Sequence, residues 1–231
     1  MNKSGSHSVV SSSRKTGFTI VELLVVVAIL MTLAALIFSV SKKAFASADR
    51  VTCVNIMRQY GTATAGYLSD HNNMMPAIGV NQQRPCYRRE GDYHIFGKLF
   101  PYFGLERQPK WAPLPDNLVC PAWRKRFPDW KAGGTGRAAG SVCGMNQDQR
   151  VNGRRIYGTQ KNATDQYGPM SYASVANGTE KSPLSSILFL SDGHHPTEKT
   201  EPVHGNMRNH LFLDFHVESL PVGQIEGGIS P

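Results

Sequence analysis

Residues 18–40 read FTIVELLVVVAILMTLAALIFSV, and this stretch decides the architecture of the chain. Glu22 is the only charged side chain among these 23 residues. As an α-helix rising about 1.5 Å per residue, the run would extend roughly 34 Å, enough to cross a hydrocarbon core of about 30 Å. A helix buried in a globular core rarely has so long an apolar run. We therefore predict a transmembrane helix over residues 18–40.

A cleaved secretory signal peptide is the main alternative for an apolar segment near the N-terminus. Such a peptide has a core of about 7–15 apolar residues followed by a small-residue cleavage site. The run here is longer, and Ser39-Val40-Ser41 is a weak cleavage site. Residues 1–17 are more informative, because they contain three basic residues and no acidic one and end in Gly17.

The sequence RKTGFTIVE at residues 14–22 resembles the processing site of type IV prepilins and type II secretion pseudopilins. The resemblance implies that residues 1–17 are a cytoplasmic leader peptide, cleaved after Gly17 by a prepilin peptidase that then N-methylates Phe18. It also implies that Glu22, at mature position five, neutralises the Phe18 amine of another subunit in a filament. A carboxylate costs about 2.5–3.5 kcal/mol near the centre of a membrane helix, so a partner is expected. The alternative is that Glu22 lies close enough to the interface to stay hydrated.

The charges that flank the span do not fix its orientation. Three basic residues precede it, and Lys42 and Lys43 follow it closely. The resemblance instead places the protein in the inner membrane as a single-pass subunit with a periplasmic or extracellular head. Its implied partners are prepilin peptidase and like pilin or pseudopilin subunits, which it contacts through the N-terminal helix.

Residues 41–71 are predicted to form an amphipathic stem helix that ends near the polar run at residues 70–73, before Pro76. Apolar and small residues recur there every three or four positions. This stripe consists of Val51, Val54, Met57, Gly61, Thr64 and Leu68, with Tyr60 and Tyr67 beside it. A pilin-like stem packs along one side of its head.

The fold class is predicted to be α+β, with the long N-terminal helix packed on a small antiparallel sheet in a loop-rich head at residues 72–231. Aromatic runs at residues 93–96 and 99–103 are expected to pack short elements against the stem. A strand is predicted at residues 186–190, ended by a turn at Ser191-Asp192-Gly193. Two further strands, residues 211–213 and 216–220, are predicted around a tight turn.

A second resemblance lies near the C-terminus, where His204 and Asp214 have the spacing of the His-x9-Asp-Gly motif of many pilin-like proteins. Phe215 stands where that motif has glycine. A turn that needs a positive φ would be strained by phenylalanine. We expect hydrogen bonds from His204 and Asp214 to brace the final hairpin.

The four cysteines, Cys53, Cys86, Cys120 and Cys143, all follow the span. An even number of cysteines in an oxidising compartment predicts at least one disulfide, and four cysteines allow three pairings. Zinc is the alternative, but spacings of 33, 34 and 23 residues contain no CxxC knuckle. We therefore predict neither a metal nor a cofactor.

An enzyme is the competing functional class. The C-terminal third is rich in potential metal ligands, namely Asp192, His194, His195, His204, His210, Asp214 and His216. A membrane-tethered periplasmic metal-dependent hydrolase could use such a set, but no HExxH or similar spacing is present. We predict that the protein is not an enzyme and has no catalytic residue.

The formal charge of +8 suggests a third class, a tethered module that binds DNA or an anionic envelope polymer without polymerising. Cleavage of the leader would remove Lys3, Arg14 and Lys15 and leave a charge of +5. Basic residues crowd the middle of the chain, interleaved with Tyr87, Trp123 and Trp130. Solvated basic loops are the simpler interpretation, so we predict at most weak binding of such polymers.

Overall fold

The computed structural model describes residues 17–77, 82–87, 94–131, 143–145, 149–157, 168–178, 183–193 and 202–224. The chain divides into two compact units, Met1–Ala44 and Phe45–Pro231. One long helix, α1 (Ile20–Asp70), contributes to both units. The two units are described separately below.

In the first unit, α1 is apolar around its whole circumference. Every side chain described between residues 17 and 38 is exposed, including Phe18 at 80% and Ile37 at 66%. Among the described residues, α1 is the one helix long and apolar enough to cross a membrane, judged by length and composition. A helix that exposes apolar side chains on every side needs apolar surroundings, so this segment is consistent with membrane anchoring.

In the second unit, the stem part of α1 buries one face in the head and ends at Asp70, as predicted. The buried positions are Cys53, Ile56, Met57, Tyr60, Gly61, Ala63, Thr64, Tyr67 and Leu68. Val51 is 58% exposed, so its predicted place in the stripe is wrong. The buried face is centred on Cys53, and a residue two positions away points to the opposite side of a helix.

Short aromatic elements pack against the stem, as the sequence predicted. Helix α2 (Phe96–Leu99) is followed directly by a 3₁₀ turn at Phe100–Phe103. The ring of Tyr60 lies 5.0 Å from the ring of Phe96 in an edge-to-face arrangement. The Tyr60 hydroxyl also donates a hydrogen bond to the carbonyl of Leu118. These contacts fix this side of the head on the stem.

The main sheet has five strands in the order β1-β4-β7-β8-β9, and all of its neighbours are antiparallel. Its strands are β1 (Gln82–Gln83), β4 (Cys143–Gly144), β7 (Leu188–Asp192), β8 (Met207–Phe212) and β9 (Val217–Pro221). Two small antiparallel pairs lie outside it: β2 (Cys86–Tyr87) with β3 (Ala112–Pro113), and β5 (Arg150–Val151) with β6 (Arg154–Arg155). The predicted α+β class with a small antiparallel sheet is confirmed.

Strand β7 differs from its prediction in a way that matters for the site. It begins two residues later, after a 3₁₀ turn at Leu184–Ser186, and it continues through Ser191 and Asp192. Pairing of Cys143 with Asp192 and of Gly144 with Ser191 extends the strand beyond the predicted turn. Asp192 is therefore a buried sheet residue rather than an exposed turn residue.

Two short helices complete the described part of the head: α3 (Pro121–Arg126) and α4 (Tyr172–Asn177). Trp123 on α3 is among the largest side chains that are fully buried. Helix α3 thereby fixes the residue that precedes it, Cys120, inside the core. His194 and His195, named above as potential metal ligands, lie outside the described residues.

Candidate functional site

The predicted processing segment is exposed and non-helical in its described part, residues 17–19. Gly17, Phe18 and Thr19 precede the first residue of α1, and all three are exposed. Around Gly17, no atom of the described residues lies within 4 Å of where a Cβ would stand. The Gly17–Phe18 peptide bond is therefore sterically open in the described part of the chain.

Thr19 and Glu22 form a capping box at the start of α1. The Glu22 amide donates to Thr19 Oγ1 at 3.2 Å, and the Thr19 amide donates to Glu22 Oε2 at 2.9 Å. Thr19 Oγ1 also donates to Glu22 Oε2, at 2.8 Å. Two amides that have no partner within the helix are satisfied reciprocally. The pattern Thr-x-x-Glu before an apolar run signals this cap, which the sequence analysis did not identify.

Four side chains from separate elements converge inside the head. Cys53 lies on the stem, Cys120 directly before α3, Asp192 at the end of β7 and His204 before β8. All four are inaccessible: Cys53 and Cys120 are 2% and 3% exposed, and the side chains of His204 and Asp192 are 2% and 4% exposed. Tertiary packing alone brings them together, since 139 residues separate Cys53 from Asp192.

The distances link the four side chains into one connected cluster, in which Asp192 contacts Cys53 and His204. His204 Nε2 lies 3.3 Å from Cys120 Sγ and 3.4 Å from Asp192 Oδ2. Cys53 Sγ lies 3.7 Å from the same Asp192 oxygen. The ligand atoms of Cys53, Cys120 and His204 all lie within 4.8 Å of one another.

The environment separates the protonation states of the two thiols. A hydrogen bond from Cys53 lowers the pKa of Cys120 to about 5, with His204 contributing and burial opposing. Donating that bond raises the pKa of Cys53, and its burial and the charge of Asp192 raise it further. Burial raises the pKa of Asp192 to about 6, although the charge of His204 opposes it. For His204, burial disfavours the cation, but its bond with Cys120 raises its pKa overall.

A cysteine–histidine pair invites comparison with a nucleophilic triad, and the geometry argues against one. In a triad, the carboxylate orients the imidazole through the ring nitrogen that does not face the nucleophile. Here Cys120 and Asp192 both face Nε2 of His204. Cys120 is also only 3% exposed, whereas a reactive cysteine is partially exposed.

The predicted pair His204 and Asp214 makes two different sets of contacts. Asp214 lies in the β8–β9 turn, where its Oδ1 is 2.5 Å from His216 Nδ1 and accepts the His216 amide at 3.2 Å. Asp214 thus braces the hairpin, and His204 belongs to the buried cluster instead. His210, another of the potential ligands named from the sequence, lies on β8 and is 5% exposed.

The four cysteines are all described, and the structure joins none of them in a disulfide. Cys53 and Cys120 lie in the cluster, Cys143 lies on β4 beside Asp192, and Cys86 lies on β2. The expected disulfide thus stays a prediction. Of the possible cysteine pairs, the geometry favours Cys53 with Cys120, because their sulfur atoms lie within 4.8 Å of each other.

In its described part, the basic middle of the chain lacks the exposed aromatic side chains expected of a surface that binds single-stranded nucleic acid. Tyr87, Trp123 and Trp130 are all buried, so they cannot stack on bases. Several of the basic residues form ion pairs within the chain. These are Lys125 with Asp49 at 2.6 Å, Arg124 with Asp116 at 3.1 Å and Lys131 with Asp116 at 2.5 Å.

Fold and N-terminal geometry together define an α+β protein with an apolar N-terminal helix that follows an open processing segment. Residues 12–38 match the family model described as the prokaryotic N-terminal methylation motif. This prepilin-type segment supports a relationship to the type IV pilin-like proteins, the group that includes the pseudopilins. No curated protein and no solved structure matches it. The matched motif implies processing by prepilin peptidase and belongs to structural proteins rather than enzymes.

Proposed function

We propose that this protein is a structural subunit of a type IV pilus-like filament or type II secretion pseudopilus, processed between Gly17 and Phe18. The match to the N-terminal methylation motif at residues 12–38 carries the proposal. It spans the cleavage site, Glu22 and most of the apolar run. The fully exposed apolar surface of residues 17–38 supports it, since such a surface needs lipid or other subunits around it.

In this proposal residues 18–40 hold the precursor in the inner membrane and later pack against the same segment of other subunits. The leader faces the cytoplasm, and the head faces the periplasm or the cell exterior. Residues 41–71 are the stem, and residues 72–231 form the outward-facing head.

Glu22 can serve both its own helix and a neighbouring subunit. All of its described hydrogen bonds to Thr19 use Oε2 or the backbone amide. Oε1 makes no hydrogen bond among the described residues, so it is available to the methylated amine of Phe18 in another subunit. This division of the two oxygens explains how one carboxylate can cap α1 and also set the register of assembly.

Processing is tested by mass spectrometry of the full-length protein after co-expression with a prepilin peptidase. We expect a mature chain that begins with N-methyl-Phe18. The matched variant Gly17→Ala should stay at precursor length, because it places a methyl group beside the scissile bond where the peptidase must approach. An intact wild-type precursor, or cleavage after Ser41, would contradict the proposed processing.

Assembly is tested by comparing Glu22→Gln with Thr19→Ala. Glu22→Gln keeps an oxygen for the Thr19 cap but removes the charge, so it should be cleaved normally. Its yield of sheared filaments should fall at least about tenfold, because an amine would lose its partner in an apolar environment. Thr19→Ala weakens the cap by about 1 kcal/mol but keeps the charge, so we expect near-normal filament yield. Normal filaments from Glu22→Gln would refute the assembly role.

A further inference from the structure

Cys53, Cys120, His204 and Asp192 form a buried cluster that the N-terminal processing segment does not explain. It lies wholly within the second unit and has no part in cleavage or in the assembly role of residues 18–40. We propose that this cluster is a structural zinc site, with Cys53, Cys120 and His204 as ligands and Asp192 as the fourth.

The spacing of the ligand atoms fits a single tetrahedral ion. Around zinc with bonds of about 2.0–2.3 Å, neighbouring ligand atoms lie roughly 3.3–3.8 Å apart. His204 Nε2 lies 3.3 Å from Cys120 Sγ, and Asp192 Oδ2 lies 3.4 Å from His204 Nε2 and 3.7 Å from Cys53 Sγ. The ligand atoms of Cys53, Cys120 and His204 all lie within 4.8 Å of one another. The contact between Asp192 Oδ2 and His204 Nε2 is long for an N–H···O bond, which is usually about 2.9–3.0 Å. One Nε2 proton also cannot serve both Cys120 and Asp192, whereas one ion can bind all four.

The donor types select the class of metal. Two thiolates and an imidazole are the ligands that zinc takes in structural sites, while calcium and magnesium take oxygen ligands. Two thiolates would balance the charge of Zn²⁺, and the Asp192 carboxylate as fourth ligand would leave the site with one net negative charge. Burial of all four side chains leaves no open position for a substrate, so the site is structural rather than hydrolytic.

A second shell of hydrogen bonds already holds the carboxylate in place. Asn209 is fully buried and donates from Nδ2 to Asp192 Oδ2 at 2.7 Å. Ser219 Oγ in turn donates to Asn209 Oδ1 at 2.6 Å. Asp192 Oδ2, the oxygen that contacts Cys53 and His204, has two lone pairs, so the bond from Asn209 leaves one for an ion. Orientation of ligands by such partners is a general feature of metal sites.

The ion would join parts of the head that are distant along the chain. Cys53 belongs to the stem, Cys120 to the start of α3, and Asp192 and His204 to the chain around β7 and β8. Binding of zinc would therefore lock the stem against both α3 and the sheet. Since an unfolded chain has no such preformed site, the binding free energy adds to the stability of the head.

A disulfide between Cys53 and Cys120 is the competing use of the same sulfurs. It would leave Asp192 and His204 buried side by side without an ion. The two uses exclude each other, so a single set of measurements decides between them.

The test uses the full-length protein purified in detergent with zinc present during expression. We expect one zinc ion per chain by elemental analysis. Both cysteines should be thiols, alkylated after denaturation without reduction. Replacement of the metal with Co²⁺ should give the visible absorption of a tetrahedral thiolate complex. Cys86→Ala is the matched control, because Cys86 is equally buried but lies outside the cluster, and it should keep the metal.

Variants separate ligation from simple misfolding. His204→Ala should lose the zinc, whereas His204→Cys replaces one zinc ligand by another and should retain it with an altered cobalt spectrum. Asn209→Ala should weaken zinc binding about 10- to 100-fold in competition with a chromogenic chelator, through the loss of second-shell support. A Cys53–Cys120 disulfide, or a wild-type protein that takes up neither Zn²⁺ nor Co²⁺ stoichiometrically, would overturn the proposal. So would equal metal content in wild type and His204→Ala.

Discussion

Gly66 lies where the stem packs tightly against Tyr102 of the head. A Cβ at this position would stand 2.8 Å from Cδ1 of Tyr102, which is closer than carbon atoms normally approach. Tyr102 is also held by a hydrogen bond from its hydroxyl to Asp70 Oδ2 at 3.0 Å. Glycine is thus required here by a close approach, although it lowers helix propensity.

We predict that Gly66→Ala destabilises the head by about 1–3 kcal/mol, the usual cost of overpacking. At an open helix position the same change would stabilise by about 1 kcal/mol. Thermal unfolding followed by tryptophan fluorescence measures this, since all three tryptophans lie in the head and two of them are buried.

The control is the same substitution in a Tyr102→Ala background. Removal of the ring should reverse the sign, so that Gly66→Ala becomes stabilising relative to Tyr102→Ala alone. An equal destabilisation in both backgrounds would show that Tyr102 is not the cause.

At the scale of elements, Phe215 in the β8–β9 hairpin combines an unfavourable backbone conformation with favourable side-chain contacts. Phe215 has a φ of +67°, a left-handed conformation that costs a non-glycine residue about 1–2 kcal/mol. Its ring stacks on Tyr172 with centroids 5.9 Å apart and planes 9° apart. A Cβ on Gly61 of the stem would also lie within 3.3 Å of it. The sequence left the type of this turn open, and the structure has a positive φ at Phe215.

We predict that Phe215→Gly is more stable than Phe215→Ala by about 1 kcal/mol. Both changes remove the aromatic contacts, but only glycine relieves the left-handed strain. The midpoints of tryptophan-detected unfolding give the order. If alanine proved as stable as glycine, the strain at residue 215 would be negligible.

At the scale of the whole molecule, the division into two units predicts that processing and head stability are separable. Gly17→Ala should block cleavage and leave the unfolding temperature of the head unchanged. His204→Ala should still be cleaved to Phe18, because the motif at residues 12–38 lies in the other unit.

Bound zinc should raise the unfolding temperature of the head. A ligand present at about 1,000 times its Kd stabilises by about 4 kcal/mol, which for a head of this size corresponds to a shift of about 10 °C. We therefore expect a strong chelator to lower the unfolding temperature of the wild type by about that amount. His204→Ala should already unfold at the lower temperature and should not respond to the chelator. A chelator effect of equal size on both proteins would contradict the site.

The sequence by itself determined the features that depend on neighbours along the chain. The apolar run at residues 18–40, the Gly17–Phe18 junction and the offset of Glu22 are local patterns, so the membrane segment and the pilin-like class could be predicted from them. The end of the stem at Asp70 and the final hairpin were likewise predictable from polar residues and turn signals. Thr19 and Glu22 are equally local, and their capping box could have been read from the pattern.

Only the tertiary structure decided what lies inside the head. Cys53, Cys120 and the pair Asp192 and His204 are about 70 residues apart along the chain, so no spacing rule could group them. The absence of a CxxC knuckle also pointed away from zinc. The burial of Asp192 was also not predictable from the sequence, because the pairing of β7 with β4 extends the strand past its predicted end. The local sequence pattern indicates which segments favour a helix, a strand or a membrane. Convergence of distant side chains depends on how those elements pack, and packing is fixed only when the whole core forms.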